Sequence, residues 1–177
     1  MLDILALSGS LRAASLNTAL LRAAALLAPS GMEISIYDQL AALPAFNPDI
    51  DPSAAPAVMA LLSRAAQADA LLIACPEYAR GIPGAFKNAL DWLVGSPTFS
   101  GKPIALFNAS QRATEAQAAL RLVLQTMALV IVEPASITVP LPGPDTTPTA
   151  IAADGIAAPA IARALAAFAD AIGSRQD

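Results

Sequence analysis

The chain predicts an α/β fold in which a parallel sheet carries helices on both faces. Apolar runs with few polar residues, at Asp3–Leu7, Ala70–Ala74 and Pro103–Phe107, read as strands covered on both sides. Segments with apolar residues at helical spacing alternate with them, the order that gives right-handed crossovers and parallel pairing. Each of the three runs leads into a loop unusually polar for this chain: 8–18, 75–82 and 108–114. In such sheets ligands bind beyond the carboxyl ends of the strands, so these loops mark the expected site.

Taken in order, Asp3–Leu7 is the first strand, and a small-residue turn leads from it to a helix at Leu16–Leu27, stopped by Pro29-Ser30-Gly31. Glu33–Tyr37 alternates as a strand with one more exposed face. A loop punctuated by Pro44, Pro48, Pro52 and Pro56 follows, then a helix at Val58–Ala68 and the strand Ala70–Ala74. Pro83 suits the first turn of a helix, where its missing N–H is harmless, and that helix runs through Leu93. After the strand Pro103–Phe107 come a helix at Glu115–Met127, short strand segments at Leu129–Val132 and Ser136–Val139, a proline-rich loop over 140–149, and a closing helix at Ile156–Ile172.

With 177 residues and no repeat or break in composition, the chain reads as one domain, 1–177. A domain of this size buries roughly 70% of its unfolded surface. Ten basic against fourteen acidic residues give a net charge of −4 without any basic block, which argues against nucleic acid or an anionic membrane as a partner. No apolar run reaches the roughly 18 residues of a membrane span, and no basic region precedes the apolar run at Met1–Ile4. No membrane association, no signal peptide and a cytoplasmic location are the expectations. Histidine is absent and Cys75 is the single cysteine, so Ser-His-Asp and Cys-His catalysis, disulfides and the usual metal sites are excluded. Chemistry must come from carboxylates, Lys, Tyr, Ser or a bound cofactor.

The first loop, Ser8-Gly9-Ser10-Leu11-Arg12-Ala13-Ala14-Ser15-Leu16-Asn17-Thr18, lies where a helix N-terminus presents unpaired N–H groups and the positive end of its dipole. It lacks the GxxxxGK[ST] of a triphosphate loop and the GxGxxG of a dinucleotide fold. What remains is a cradle of monophosphate size, with Ser10, Ser15, Asn17 and Thr18 as hydrogen-bonding groups and Arg12 as the cation. Ser15 or Asn17 acting simply as a helix cap is the plainer reading. In the second loop, Glu77, Tyr78 and Arg80 sit between Pro76 and Pro83, and glycines 81 and 84 permit close approach to a flat ligand. Glu77 is equally readable as a surface carboxylate or a partner of Arg80, and Tyr78 as a half-buried loop aromatic. Lys87 and Asp91 have the spacing of an exposed ion pair, Trp92 reads as core or subunit interface, and Cys75 as a small hydrophobe.

The segments Ser8–Thr18 and Pro76-Glu77-Tyr78-Ala79-Arg80-Gly81-Ile82-Pro83-Gly84-Ala85-Phe86-Lys87-Asn88-Ala89-Leu90-Asp91-Trp92 resemble the NADPH-dependent FMN reductase family, the group that includes quinone, chromate and azo-dye reductases. Leu43-Pro44-Ala45-Phe46-Asn47-Pro48-Asp49 is similar to the family's loop before the second helix. The resemblance implies a flavodoxin-like three-layer sandwich, with a five-stranded parallel sheet and helices on both faces, holding FMN without a covalent bond. It assigns Ser10, Arg12, Ser15, Asn17 and Thr18 to the FMN phosphate, and Pro76, Glu77, Tyr78, Arg80, Gly81 and Ile82 to the border of the isoalloxazine ring. In the family the third loop carries a serine followed by glycines that approach the pyrimidine end of the ring. Here it reads Ser110-Gln111-Arg112-Ala113-Thr114, with Ser110 in place and no glycine.

The implied reaction is ping-pong. NADPH or NADH reduces FMN and leaves, and a small acceptor (free flavin, quinone, azo compound or metal oxyanion) then takes the electrons. Flavin carries that chemistry itself, so no catalytic residue and no metal is nominated. Backbone N–H groups near Gly81 are expected to stabilise the reduced, anionic ring. A homodimer or homotetramer is implied by the family habit. The alternative is a flavodoxin-like electron carrier serving a protein partner, and a third reading is a nucleotide-binding or sensory module without chemistry.

Overall fold

The computed structural model describes residues 1–143 and 145–175. Five sheet positions are filled by β1 (Leu2–Ser8), β2 (Met32–Tyr37), β3 (Ala70–Ala74), β4 (Pro103–Asn108) and a last position divided between β5 (Val130–Ile131) and β6 (Ile137–Thr138). All pair in parallel in the order β2-β1-β3-β4-β5, with β6 also on β4, which is the flavodoxin-like doubly wound arrangement. The chain winds one way from β1 to β2 and the other way from β2 through β3 onward, so the carboxyl ends of β1 and β3 flank the switch point.

The helices are α1 (Leu16–Leu26), α2 (Pro56–Gln67), α3 (Gly84–Val94), α4 (Thr114–Thr126), α5 (Pro148–Ala153) and α6 (Ala157–Gly173). Alternation along the strands sorts side chains cleanly between the layers. Ile4, Ala6, Leu72, Ala74, Ala105 and Phe107 face α1, α5 and α6. Leu5, Leu7, Leu71, Ile73, Ile104 and Leu106 face α2, α3 and α4. Half of the first set are alanines, and Ala19, Ala23 and Ala24 of α1 lie in the same cluster, so that helix packs close to the sheet. The alanine-rich composition is thereby explained.

One feature departs from the expected elements, and a second, the pair of short strand segments, matches them. The 140–149 segment is not a loop throughout: Thr147 accepts a hydrogen bond from Ala150 N and Pro148 occupies the first turn of α5, whose Ile151 is buried on the α1 side. The fifth strand is broken by a 3-10 turn at Glu133–Ala135, and there Leu106 N donates to Ser136 Oγ at 3.1 Å instead of to a strand carbonyl.

At the amino ends of the strands Arg64 of α2 forks onto Asp3 (2.9 and 2.6 Å) and onto Ser35 Oγ at 2.5 Å, tying β1, β2 and α2. Lys102 donates to the carbonyls of Ala66 and Ala68, and burial lowers its pKa against the opposing pull of Asp69 and Asp3. The long 38–55 connection is pinned to α3. Asn88 accepts from Phe46 N and donates to Pro44 O, Trp92 Nε1 also donates to Pro44 O, and Phe46 meets Trp92 edge-on with ring centroids 5.1 Å apart. Trp92 is therefore core rather than a free surface aromatic, and Lys87–Asp91 is the expected ion pair at 2.6 Å.

Candidate functional site

The site is built where β1, β3 and β4 end. Gly9 N continues the ladder by donating to Ala74 O at 2.8 Å. A Cβ on Gly9 would stand 3.0 Å from Cys75 Sγ and 3.1 Å from both Cys75 Cα and Pro76 Cδ, so glycine lets the first loop press against the second without its neighbours giving way. Beyond it the hydroxyls interlock: Ser8 Oγ and Thr18 Oγ1 are 2.7 Å apart, Ser10 Oγ accepts from Arg12 N, and Ser15 Oγ accepts from Thr18 N as the N-cap of α1. Ser8, Ser10, Arg12, Thr18 and Arg22 line a concavity of about 200 Å³.

The second loop is a two-residue hairpin. Tyr78 and Gly81 exchange backbone hydrogen bonds of 3.1 and 3.0 Å, and both central residues are left-handed, Ala79 at φ 50° and Arg80 at φ 60°. Residues with a Cβ are strained there by about 1–2 kcal/mol each. The turn holds Tyr78 over the first loop, with its hydroxyl 3.3 Å from Ser10 Oγ. Glu77 does not pair with Arg80. Its Oε2 accepts from Ala116 N at 3.0 Å and so caps α4, whose own N-cap residue, Ala113, has no side-chain acceptor. Burial pushes the Cys75 thiol up to about 12, so it stays protonated and acts as a small hydrophobe.

The third loop folds on its own side chains: Ser110 N donates to Asn108 Oδ1 at 3.1 Å and Arg112 N to Ser110 Oγ at 3.2 Å. Where the three loops meet lies a cavity of about 300 Å³ lined by Asn17, Pro76, Glu77, Asn108, Ser110 and Arg112. Asn17 is 8% exposed, and its Oδ1 is buried without a hydrogen-bond partner. Buried polar atoms are otherwise almost always paired, so this oxygen marks a place for a donor that the chain itself does not provide.

Residues 2–141 match the family model of the NADPH-dependent FMN reductases. The chain belongs to that family. It is 42% identical over 112 residues to an NAD(P)H-dependent FMN reductase of Pseudomonas aeruginosa, a match covering 62% of this chain and 60% of that one. To a 2-hydroxy-1,4-benzoquinone reductase of a Burkholderia species it is 40% identical over 112 residues, covering 62% and 61%. These matches span about 60% of the length of the curated relatives. The solved flavoenzyme NAD(P)H:(acceptor) oxidoreductase FerB of Paracoccus denitrificans superposes with a TM-score of 0.78 at 28% identity, over 98% of both chains.

Within this FMN reductase fold the expected site residues fall into distinct places. Ser10, Arg12 and Thr18 surround the concavity at the start of α1, and Asn17, Pro76, Glu77 and Ser110 line the cavity between the loops. Tyr78 joins the two through Ser10. Ser15 caps α1, while Arg80, Gly81 and Ile82 line neither space. The N–H of Gly81 is held inside the hairpin by Tyr78 O, which removes it as a free donor to a ligand. Asn108 and Arg112 are the cavity residues missing from the expected set. A signal for Asn108 existed, since a lone amide closes an otherwise apolar strand. Among the described residues no cluster of His, Cys, Asp or Glu is placed to hold a metal ion. No helix among them is long and apolar enough to cross a membrane.

Proposed function

We propose that this chain is an FMN-dependent oxidoreductase that takes a hydride from NADPH or NADH and passes electrons to a small acceptor: a free flavin, a quinone, an azo compound or a metal oxyanion. The observation that carries the reading is the orphaned Asn17 Oδ1, buried beside the hydroxyl-and-arginine concavity of the first loop. A carbonyl oxygen needs a donor. The ribityl chain of FMN supplies hydroxyl donors one step from its phosphate, and phosphate is what the Arg12 side of the loop suits. FMN satisfies both needs in one molecule.

In this reading Ser10, Arg12, Ser15, Asn17 and Thr18 hold the phosphate end, Ser15 through its cap of α1. Pro76, Glu77, Tyr78, Arg80, Gly81, Ile82 and Ser110 border the ring end, with Glu77 fixing the start of α4 rather than moving a proton. FMN supplies the hydride and electron chemistry, which amino-acid side chains do not carry. The unit acts as one FMN-binding domain, in the cytoplasm, as a homodimer or homotetramer. The names of the relatives, reductases of free flavin and of quinones, favour an enzyme over an electron carrier for a protein partner.

Titration with FMN tests the reading. Binding at micromolar concentrations and oxidation of NADPH with benzoquinone as acceptor are expected, and turnover with no small acceptor would leave only the carrier. Arg12→Ala combined with Asn17→Ala removes one charge-assisted and one buried hydrogen bond, each worth about 1.5–3 kcal/mol, and should weaken FMN binding by a few kcal/mol. Unchanged affinity would reduce the loop to a helix cap.

A further inference from the structure

We infer that Arg112 is the residue that meets the negative charge of the reduced flavin. The inference rests on FMN occupying the cavity between the three loops. A hydride taken from a nicotinamide brings two electrons and one proton, and it leaves the ring with one negative charge spread over N1 and the C2 carbonyl. The surroundings of that edge therefore set how readily the ring accepts the hydride.

The obvious backbone donors are already engaged. Gly81 N–H is bound to Tyr78 O within its hairpin, and the third loop has no glycine to bring its backbone close. The positive end of α4 is faced by the Glu77 carboxylate, which accepts from Ala116 N. Arg112 is the one cation lining the cavity among the described residues. It takes no part in the ion pairs found there, which are Arg64–Asp3, Lys87–Asp91 and Arg121–Glu133. The Asn108–Ser110 and Ser110–Arg112 side-chain bonds shape the turn that carries it. Asn108, Ser110 and Arg112 give the cavity a hydrogen-bonding wall that also carries its cation. The pyrimidine edge is the hydrogen-bonding edge of isoalloxazine, the opposite edge being a dimethylbenzene, so this wall and that edge belong together.

Charge and position make separate signatures. Arg112 interacts more strongly with the reduced than with the oxidised ring, so Arg112→Gln should weaken the binding of reduced FMN about tenfold more than that of oxidised FMN, the change expected when one charge-assisted contact is lost. The two-electron midpoint potential of bound FMN falls correspondingly, and Arg112→Lys restores most of it. Asn17→Ala, which removes an uncharged cavity group outside the turn that carries Arg112, weakens both forms alike. Oxidised-FMN titrations and spectroelectrochemical potentials on wild type and variants read these quantities without turnover. Arg112 is exposed on a loop, so the variants keep the fold, and circular dichroism checks that. A midpoint potential unchanged in Arg112→Gln with FMN bound overturns the inference. Failure of the wild-type chain to bind FMN overturns instead the reading beneath it.

Discussion

At the scale of single residues, Gly9 and Asn17 divide the making of the site between them. Gly9 is fixed by close approach, since a Cβ there would stand 3.0–3.1 Å from Cys75 and Pro76, which would have to give by a few tenths of an ångström. Gly9→Ala should therefore destabilise the fold by about 1–3 kcal/mol, the usual range for forced overpacking, and push the first loop away from the second. Thermal unfolding together with an FMN titration checks this. A loss of affinity larger than the loss of stability would show that the contact between loops, rather than the bulk fold, is what the glycine secures. Asn17 is fixed by an unmet need, a buried oxygen without a donor. From the sequence it was one of several polar residues in a turn, and its unpaired oxygen, not burial, separates it from Ser10 and Ser15, which are equally buried.

At the scale of elements, the hairpin at 78–81 stands out because two residues with side chains occupy left-handed positions. Asparagine followed by glycine is the pair such turns favour. Ala79→Asn with Arg80→Gly should relieve about 1–2 kcal/mol of strain per position and raise the melting temperature. If the variant is no more stable, the exchange of hydrogen bonds between Tyr78 and Gly81 already holds the turn without strain. The elements also show what a sequence can and cannot disclose. The strands of the core were legible because a fully buried parallel strand has nowhere to place polar groups, and Pro83 correctly announced α3. α5 was hidden because the prolines of 140–149 signal a loop, although Thr147 followed by Pro148 is itself a helix start once a buried Ile151 anchors it. The third loop was legible as a loop, but its path depends on side chains bonding to backbone two residues away. The entry of Arg112 into the cavity was accordingly out of reach. The Lys87-Asn88-Ala89-Leu90-Asp91-Trp92 stretch proves architectural, since Asn88 and Trp92 serve the 38–55 connection.

At the scale of the molecule, the two ends of the sheet have different duties. The amino ends carry the Asp3–Arg64–Ser35 cluster, and the carboxyl ends carry the candidate site. Distant, unshared features usually contribute additively. Arg64→Ala removes partly exposed charge-assisted bonds and should cost about 1–3 kcal/mol, lowering the melting temperature by about 2–4 °C per kcal/mol in a chain of this size. FMN affinity should be untouched, and saturating FMN should raise the melting temperature of wild type and variant by equal amounts. Unequal shifts would reveal coupling between the ends.

The divided fifth strand has a consequence for the company the molecule keeps. A sheet edge with a continuous row of unpaired N–H and C=O groups invites a strand from another chain to add to it. Here β5 and β6 are two residues each, a 3-10 turn interrupts them, and the Ser136 hydroxyl fills the gap by binding Leu106 N on one side and Val132 O on the other. That border of the sheet thus presents no unbroken template for strand addition. The same interruption that shortens the strand guards an alanine- and leucine-rich chain against growing by its edge.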